Sequence, residues 1–198
     1  MTNGIQTIAV IGAGEQGREM ACGALLAGYR TILEDVSEHR LQQAAHWIAN
    51  VSAEARSRLV LASKIEEAVR EADLLVEAVA DEMEMKIEMF TIFDKFAKPN
   101  AILASSSRSV SIAELAEVTF CRERCIGMRF NSEKGSEGRS EDGRANALAL
   151  VTTLETSAET LARCQEFGRR LGKSVTVLKD IGARRQDAGA TRASVTSR

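Results

Sequence analysis

Three closely spaced glycines follow the first apolar run of the sequence. Residues 7–11 have the pattern of a strand, and the chain continues through Gly12-Ala13-Gly14-Glu15-Gln16-Gly17 into a helical pattern that ends near Gly28. In this setting Gly12 allows the turn out of the strand, Gly14 lets the backbone approach a pyrophosphate, and Gly17 permits close packing of helix on strand. Free N–H groups and the positive end of the helix dipole then favour an anionic diphosphate. The three glycines, with Gln16 in the first helical turn, are therefore candidate dinucleotide contacts.

A carboxylate completes this pattern at the end of the second apolar run. Residues 31–33 lead to Asp35, whose oxygens would accept hydrogen bonds from the hydroxyls of an adenosine ribose. Its negative charge would repel the 2′-phosphate of NADP. We therefore predict NAD as the cofactor. The alternative, a glycine-rich turn that binds nothing, leaves the register of strand, turn, helix, strand and carboxylate unexplained.

Strands and helices alternate along the rest of the chain. An α/β fold with a doubly wound parallel sheet, covered by helices on both faces, follows from this βαβ alternation. Further strands are predicted at 59–62, 73–79, 101–105, 126–130 and 174–178. Helices are predicted from Ser37 to about residue 49 and at 64–71. Another is indicated by one apolar face made by Met83, Ile87, Phe90, Phe93 and Ala97. Two more are expected to begin at the capping boxes Ser111-x-x-Glu114 and Thr156-x-x-Glu159.

Length and composition indicate one domain. The chain has 198 residues, of which 44% are hydrophobic, and a net charge of −2, so no strong attraction to nucleic acid or an anionic membrane is implied. The N-terminus lacks the basic flank of a signal peptide, and no apolar run approaches the roughly 20 residues that span a bilayer. We expect a cytoplasmic protein with a domain at 1–180, a polar loop at 131–147 and a disordered tail at 181–198.

The cysteines and histidines do not form a metal-binding pattern. Cys22 and Cys164 fall on apolar helix faces, and Cys121 and Cys125 are separated by three charged residues without a histidine nearby. Buried or free thiols are the favoured interpretation, and no metal is predicted.

Several segments beyond the glycine motif resemble one family, the L-3-hydroxyacyl-CoA dehydrogenases, in their N-terminal NAD-binding domain. The similarity runs from residue 8 to residue 180 and rests on Val10-Ile11-Gly12-Ala13-Gly14, Glu34-Asp35-Val36-Ser37, Ala72-Asp73-Leu74-Leu75-Val76-Glu77-Ala78-Val79, Ile102-Leu103-Ala104-Ser105-Ser106, Ile126-Gly127-Met128 and Leu171-Gly172-Lys173-Ser174. The resemblance implies hydride transfer between NAD and a 3-hydroxyacyl thioester or related 3-hydroxy acid, within fatty acid metabolism.

The resemblance also assigns cofactor contacts by position. Asp35 would hold the adenosine ribose, Ala78 and Asp81 would line the cofactor cleft, Lys86 would reach the cofactor, and Ser106 would contact it from the end of the following strand. Asp81 has a competing role, because with Glu84 it makes an Asp-x-x-Glu capping box.

The catalytic positions depart from the family pattern. Arg129 occupies the position of the family's catalytic histidine, and a guanidinium group cannot act as a base. The partner glutamate has no clear equivalent, since counting from Arg129 gives Glu141 whereas the later Leu-Val pattern gives Thr152. The family's Asn-Thr-Ser becomes Ser106-Ser107-Arg108, in which Arg108 is either a phosphate or carboxylate contact or a surface arginine.

Three functional hypotheses follow. The family's all-helical C-terminal domain has no counterpart in the sequence after Asp180. The first hypothesis is an oxidoreductase that a separate helical partner completes. The second is a catalytically silent NAD-binding or interaction protein. The third is a truncated product whose region after Phe130 has lost its function.

Overall fold

Eight strands form one sheet in the computed structural model, which describes residues 4–132 and 146–180. The strands are β1 (Thr7–Ile11), β2 (Arg30–Glu34), β3 (Leu59–Ala62), β4 (Leu74–Glu77), β5 (Ile102–Ser105), β6 (Cys125–Ser132), β7 (Asn146–Thr152) and β8 (Ser174–Lys179). Their order across the sheet is β3-β2-β1-β4-β5-β6-β7-β8. All neighbours are parallel except β6 and β7, which pair antiparallel. The doubly wound α/β class is thus confirmed, with one antiparallel pair.

Helices cover both faces of this sheet. They are α1 (Glu15–Leu26), α2 (Glu38–Val51), α3 (Ala53–Ser57), α4 (Ile65–Glu71), α5 (Met83–Phe96), α6 (Ile112–Glu117) and α7 (Ala158–Arg170), and a 3₁₀ turn at Arg122–Arg124 precedes β6. Residues of α1, α2, α3 and α7 pack in one core with Ile8 and Val10, while α4, α5 and α6 pack in the other with Ala9 and Ile11. Alternate residues of β1 therefore face opposite cores, as the two-residue period of a strand requires.

The strand order reverses beside β1, and this position is where open α/β sheets bind ligands. The chain moves from β1 outward through β2 and β3, then returns to the other side of β1 with β4 and continues outward through β5 and β6. The loops after β1 and β4 consequently diverge at the carboxyl edge of the sheet and leave a crevice between them.

Some boundaries differ from the sequence predictions. The helix predicted to start at a Thr156 capping box is capped instead by Ser157, whose hydroxyl accepts from Thr160 N. The hydroxyl of Thr156 instead donates to Cys125 O at 2.9 Å.

The strand β7 was not predicted. Because β6 continues through residue 132 and β7 begins at residue 146, both ends of the predicted loop 131–147 are strand residues; its remaining part, 133–145, lies outside the described residues, as does the predicted tail 181–198.

The four cysteines, Cys22, Cys121, Cys125 and Cys164, are free thiols and all are buried. Within residues 4–132 and 146–180, histidine, cysteine and acidic side chains form no group of three or more that could hold a metal ion. In the same part of the chain no helix is long and apolar enough to cross a bilayer.

Candidate cofactor site

The three glycines of the first loop have different steric surroundings. Gly12 has φ of 107°, and a Cβ there would lie 2.6 Å from Ala78 O. A Cβ on Gly17 would lie 1.8 Å from Gly12 O, so both positions require glycine for the close approach of β1, α1 and β4. A Cβ on Gly14 would meet no protein atom within 4 Å. Gly14 is therefore not needed for packing, and its bare backbone fits a role in approaching a diphosphate.

Helix α1 starts directly after this loop. Gly14 is its N-cap residue, and no side chain caps the helix there. The positive end of the α1 dipole therefore lies beside the glycine loop, where it favours an anion. Gln16 lies exposed in that first turn, beside Glu15.

Asp35 joins the glycine loop to the end of β2. Its Oδ2 accepts from Ala13 N at 2.8 Å, and its Oδ1 accepts from Ser37 N at 2.8 Å. The carboxylate is 5% exposed, and Arg40 lies 3.5 Å from Oδ2. Since a carboxylate oxygen has two acceptor sites, Oδ1 retains one for a ribose hydroxyl. The sequence pattern identified the residue but missed its second role, which is to hold the loop in place.

The residue before it, Glu34, is also buried. Its carboxyl group packs on the face of the sheet that carries Ile32 and Ala62 and is 4% exposed. Burial, together with the charges of Asp35 and Glu66, raises the pKa of Glu34 to about 7. Ionising Glu34 therefore costs more free energy than ionising an exposed glutamate.

Ala78 brings the end of β4 against the glycine loop. Its N–H donates to Ile11 O at 2.7 Å, and its carbonyl is the group that a Cβ on Gly12 would strike. The residue therefore lies beside the glycine loop at the end of β1, and its contact with the cofactor stays a prediction.

A buried ion pair lies below this crevice. Lys86 Nζ donates to both carboxylate oxygens of Glu77, at 2.9 and 2.8 Å, and the two side chains are 1% and 0% exposed. Ser105 also donates to Glu77. Burial raises the pKa of Glu77, although Lys86 and Ser105 oppose this shift. The predicted contact between Lys86 and the cofactor stays a prediction; the structure shows an ammonium group engaged by Glu77.

Asp81 lies at the mouth of the same cluster. Its carboxylate accepts from Ser107 Oγ at 2.5 Å and Ser109 Oγ at 2.7 Å, with Lys86 Nζ at 3.5 Å. Partial burial alone would raise the pKa of Asp81, but these hydrogen bonds and the lysine charge outweigh it and lower the value to about 2. The alternative of a capping box was wrong, because the N-cap of α5 is Glu82 and the helix has no side-chain cap.

The loop after β5 supplies the serines of this network. Ser107 accepts from Val110 N at 2.8 Å through its hydroxyl and donates its own N–H to Ser105 Oγ at 3.1 Å. Ser106, the predicted contact, is 7% exposed and donates its N–H to Glu77 O at 3.1 Å. Sequence reasoning missed the roles of Ser105, Ser107 and Ser109, although the run of hydroxyls directly after a buried strand is the signal that could have indicated them.

Arg129 lies at the far side of this loop, on β6. Its Nε donates to Ser107 O at 2.6 Å. Ala149 of β7 is directly opposite in the antiparallel register, so the position that faces Arg129 carries a methyl group. Thr152 lies further along β7 and donates to Leu178 O at 3.2 Å, and Glu141 is outside the described residues.

A sequence profile described as the NAD-binding domain of 3-hydroxyacyl-CoA dehydrogenase matches residues 7–181. The chain belongs to this family. NAD is accordingly the cofactor of the domain, and the crevice between the loops after β1 and β4 is where such a sheet binds it.

Individual relatives agree with the family. The chain is 32% identical over 193 residues to a 3-hydroxybutyryl-CoA dehydrogenase of Bradyrhizobium diazoefficiens, covering 90% of this chain and 63% of that protein. It is 30% identical over 191 residues to a probable 3-hydroxybutyryl-CoA dehydrogenase of Bacillus subtilis, with 89% and 63% covered. The chain thus spans less than two thirds of the length of these relatives.

The fold also has a close counterpart among solved structures. The crystal structure of (S)-3-hydroxybutyryl-CoA dehydrogenase from Ralstonia eutropha superposes with a TM-score of 0.78 at 23% identity, covering 91% of this chain and 67% of that one. At this identity the likeness supports the fold alone.

Proposed function

We propose that this chain binds NAD across the carboxyl ends of β1 and β4 and forms the cofactor-binding part of an oxidoreductase. The observation that carries the proposal is the contrast among the glycines: Gly12 and Gly17 have no room for a side chain, whereas Gly14 has room and bare backbone at the start of α1. The ligand diphosphate would lie against Gly14, and the adenosine ribose would hydrogen-bond to Asp35. Bound NAD would supply the hydride acceptor at its nicotinamide ring.

The substrate proposed for this oxidoreductase is a 3-hydroxyacyl thioester or a 3-hydroxy acid. The names of the relatives support the hydroxyacyl part of this proposal. A helical unit that closes the substrate side, in a partner protein, belongs to the same proposal. The predicted limits of the domain at 1–180, its tail at 181–198 and a cytoplasmic location stay predictions.

A second candidate function is NAD binding without turnover. It is favoured by Arg129, which occupies the position of the family's histidine, and by Ala149, the residue that faces it on β7 and has no titratable group. Arg129 is then a binding group rather than a base, because guanidinium remains protonated at any pH at which the protein is folded.

Calorimetry with NADH and NADPH tests the proposed cofactor site. We expect NADH to bind and NADPH to bind at least about tenfold more weakly, since its 2′-phosphate would face the Asp35 carboxylate. Asp35→Asn removes that charge and should narrow the difference in affinity between NADH and NADPH. Glu38→Gln, an exposed acid in the first turn of α2, is the matched control and should leave the difference unchanged. Equal affinity of the unmodified chain for both cofactors would contradict the proposal.

A further inference from the structure

The carboxyl group of Glu34 is buried without a polar partner. The residue is 4% exposed, and within residues 4–132 and 146–180 its side chain makes no hydrogen bond and no ion pair. Burying a polar group without a hydrogen bond costs free energy, so native proteins nearly always pair such groups with protein, water or ligand. The described part of the chain thus leaves the hydrogen-bonding capacity of this carboxyl group to a ligand or to solvent.

Glu34 is the last residue of β2, at the carboxyl edge of the sheet. Its neighbours in register are Ile11, which ends β1, and Ala62, which ends β3. Its carbonyl accepts from Gly12 N, in the glycine loop, at 2.8 Å. The residue that follows it is Asp35, the proposed contact of the adenosine ribose. Glu34 therefore lies next to the place where the base of the same nucleoside would be attached.

Apolar side chains at this edge suit a flat base. Ile65 at the start of α4 and Val79 after β4 are half-buried, and both pack against the core that contains Ile11 and Ala62. Adenine needs apolar contact on its faces and a polar group at its edge, where its hydrogen-bonding atoms lie. The ends of β2, β3 and β4 supply both kinds of contact.

The charges around Glu34 favour its neutral form. Burial, together with the charges of Asp35 and of Glu66 on α4, raises the pKa of Glu34 to about 7. Cations of the neighbouring elements pair with other acids: Arg40 with Asp35, Lys64 with Glu67 and Lys86 with Glu77. A neutral carboxyl group has an O–H donor beside a carbonyl acceptor, whereas a carboxylate only accepts.

We propose that the Glu34 carboxyl group binds the adenine base of NAD. Adenine presents a ring-nitrogen acceptor beside an exocyclic amino donor. The neutral carboxyl group matches this edge, because its O–H donates to the ring nitrogen and its carbonyl oxygen accepts from the amino group. An ionised carboxylate would instead face the lone pair of the ring nitrogen. The inference rests on the proposed function and adds to it a residue that selects the base and makes cofactor binding depend on pH.

Calorimetry of the full, unmodified chain with NADH between pH 6 and pH 8.5 tests this inference. Because the protonated form binds, affinity should fall as the pH rises through about 7, by up to about tenfold per pH unit. Binding at pH 7.5 should take up protons, which the dependence of the heat on the ionisation enthalpy of the buffer measures. ADP-ribose carries the adenosine half without nicotinamide and should show the same pH dependence. Affinity that does not vary with pH, or a pH effect with NADH but not with ADP-ribose, would overturn the inference.

Variants assign the pH dependence to Glu34. Glu34→Gln keeps a donor beside an acceptor, so it should bind NADH with the pH dependence removed. Glu34→Met has neither and should weaken NADH binding at pH 6 by at least about fivefold. Unchanged affinity in Glu34→Met, or a pH profile retained in Glu34→Gln, would contradict the assignment.

Glu66 on α4 offers a test that leaves the proposed contact intact. Glu66→Gln removes a charge that raises the pKa of Glu34, so the fall in NADH affinity should begin at lower pH. Glu67→Gln, at the exposed neighbouring position, is the matched control and should leave the profile unchanged. Equal profiles of the two variants would count against a titrating group at position 34.

NADH binding by the unmodified chain at pH 6 separates the two proposals. If NADH binds and its affinity depends neither on pH nor on the side chain at position 34, the role of Glu34 alone is wrong. If NADH does not bind at any pH, the proposed function is wrong and the adenine contact with it.

Discussion

Arg129 on β6 lies directly opposite Ala149 on β7 in the antiparallel register. Opposed residues of an antiparallel pair place their Cβ atoms about 4.5–5.5 Å apart on one face of the sheet. The residue that faces Arg129 on β7 therefore presents a methyl group, which makes no hydrogen bond. Neither of these two facing residues can act as a base, because a guanidinium group accepts no proton and a methyl group has no titratable atom.

The first prediction concerns turnover. The unmodified chain should reduce acetoacetyl-CoA with NADH at background rate, since general base catalysis typically contributes about 10²- to 10⁴-fold and no base is present at Arg129. Arg129→His alone should not restore the rate, because Ala149 cannot orient the new ring. A spectrophotometric assay of NADH oxidation checks both. Turnover well above background in the unmodified chain would show that another residue supplies the base.

The second prediction tests the register itself. In the double variant Arg129→His with Ala149→Glu, the carboxylate should raise the pKa of the new imidazole above its value in Arg129→His alone, because a nearby negative charge favours the protonated ring. NMR titration of the imidazole resonances measures both values. Equal pKa values would mean that positions 129 and 149 do not face each other.

The third prediction concerns the buried pair below the crevice. Lys86→Met leaves the Glu77 carboxylate buried without its cation and should lower the free energy of unfolding by about 3 to 5 kcal/mol. Urea unfolding at pH 8 measures this loss. Lys95→Met, an exposed lysine on the same helix, should change it little. The loss at Lys86 should shrink as the pH is lowered, because burial raises the pKa of Glu77 and the removal of Lys86 takes away a charge that opposes this shift, so the carboxyl group takes up a proton more readily. Equal effects of the two variants would contradict the role of the pair.

The fourth prediction concerns Glu34 and pH. The folded protein holds the Glu34 proton up to about pH 7, whereas the unfolded chain releases it near the ordinary glutamate pKa of 4.5. The folded state binds more protons between these values, so this group lowers the free energy of unfolding as pH rises through that window. Glu34→Gln should remove this fall in the free energy of unfolding with rising pH and should stabilise the protein at pH 8 by about 2 kcal/mol. Glu88→Gln, an exposed acid on α5, is the control, and identical pH profiles of the two variants would refute the assignment.

Local patterns explain why most of the fold was predictable. The period of apolar residues and the serine caps at Ser37 and Ser111 are visible within a few residues of sequence, and the structure has both caps. The strand β7 was missed because it follows a polar segment and is stabilised by pairing with β6 and β8, which no local pattern reports.

The candidate site was predictable only in part. The spacing of Gly12, Gly14 and Gly17 indicates a loop that approaches a diphosphate, because backbone geometry alone decides which residues fit. The contacts among Glu77, Lys86 and Asp81 depend on side chains brought together from β4, α5 and the loop between them, so no local sequence pattern pairs these residues. The facing of Arg129 and Ala149 depends on the register of two strands, which is set by tertiary packing.

The central claim is that the glycine loop binds the cofactor, and Gly14→Val tests it most directly. The substitution is sterically compatible with the protein, since a Cβ at Gly14 meets no protein atom within 4 Å and φ there is −64°. Gly23→Ala on the same helix is the control, because the nearest atom to its Cβ is Leu171 Cδ2 at 3.8 Å. Circular dichroism should show both variants folded. Calorimetry should show NADH binding to the unmodified chain and to Gly23→Ala but not to Gly14→Val; undiminished NADH binding by a folded Gly14→Val would contradict the account.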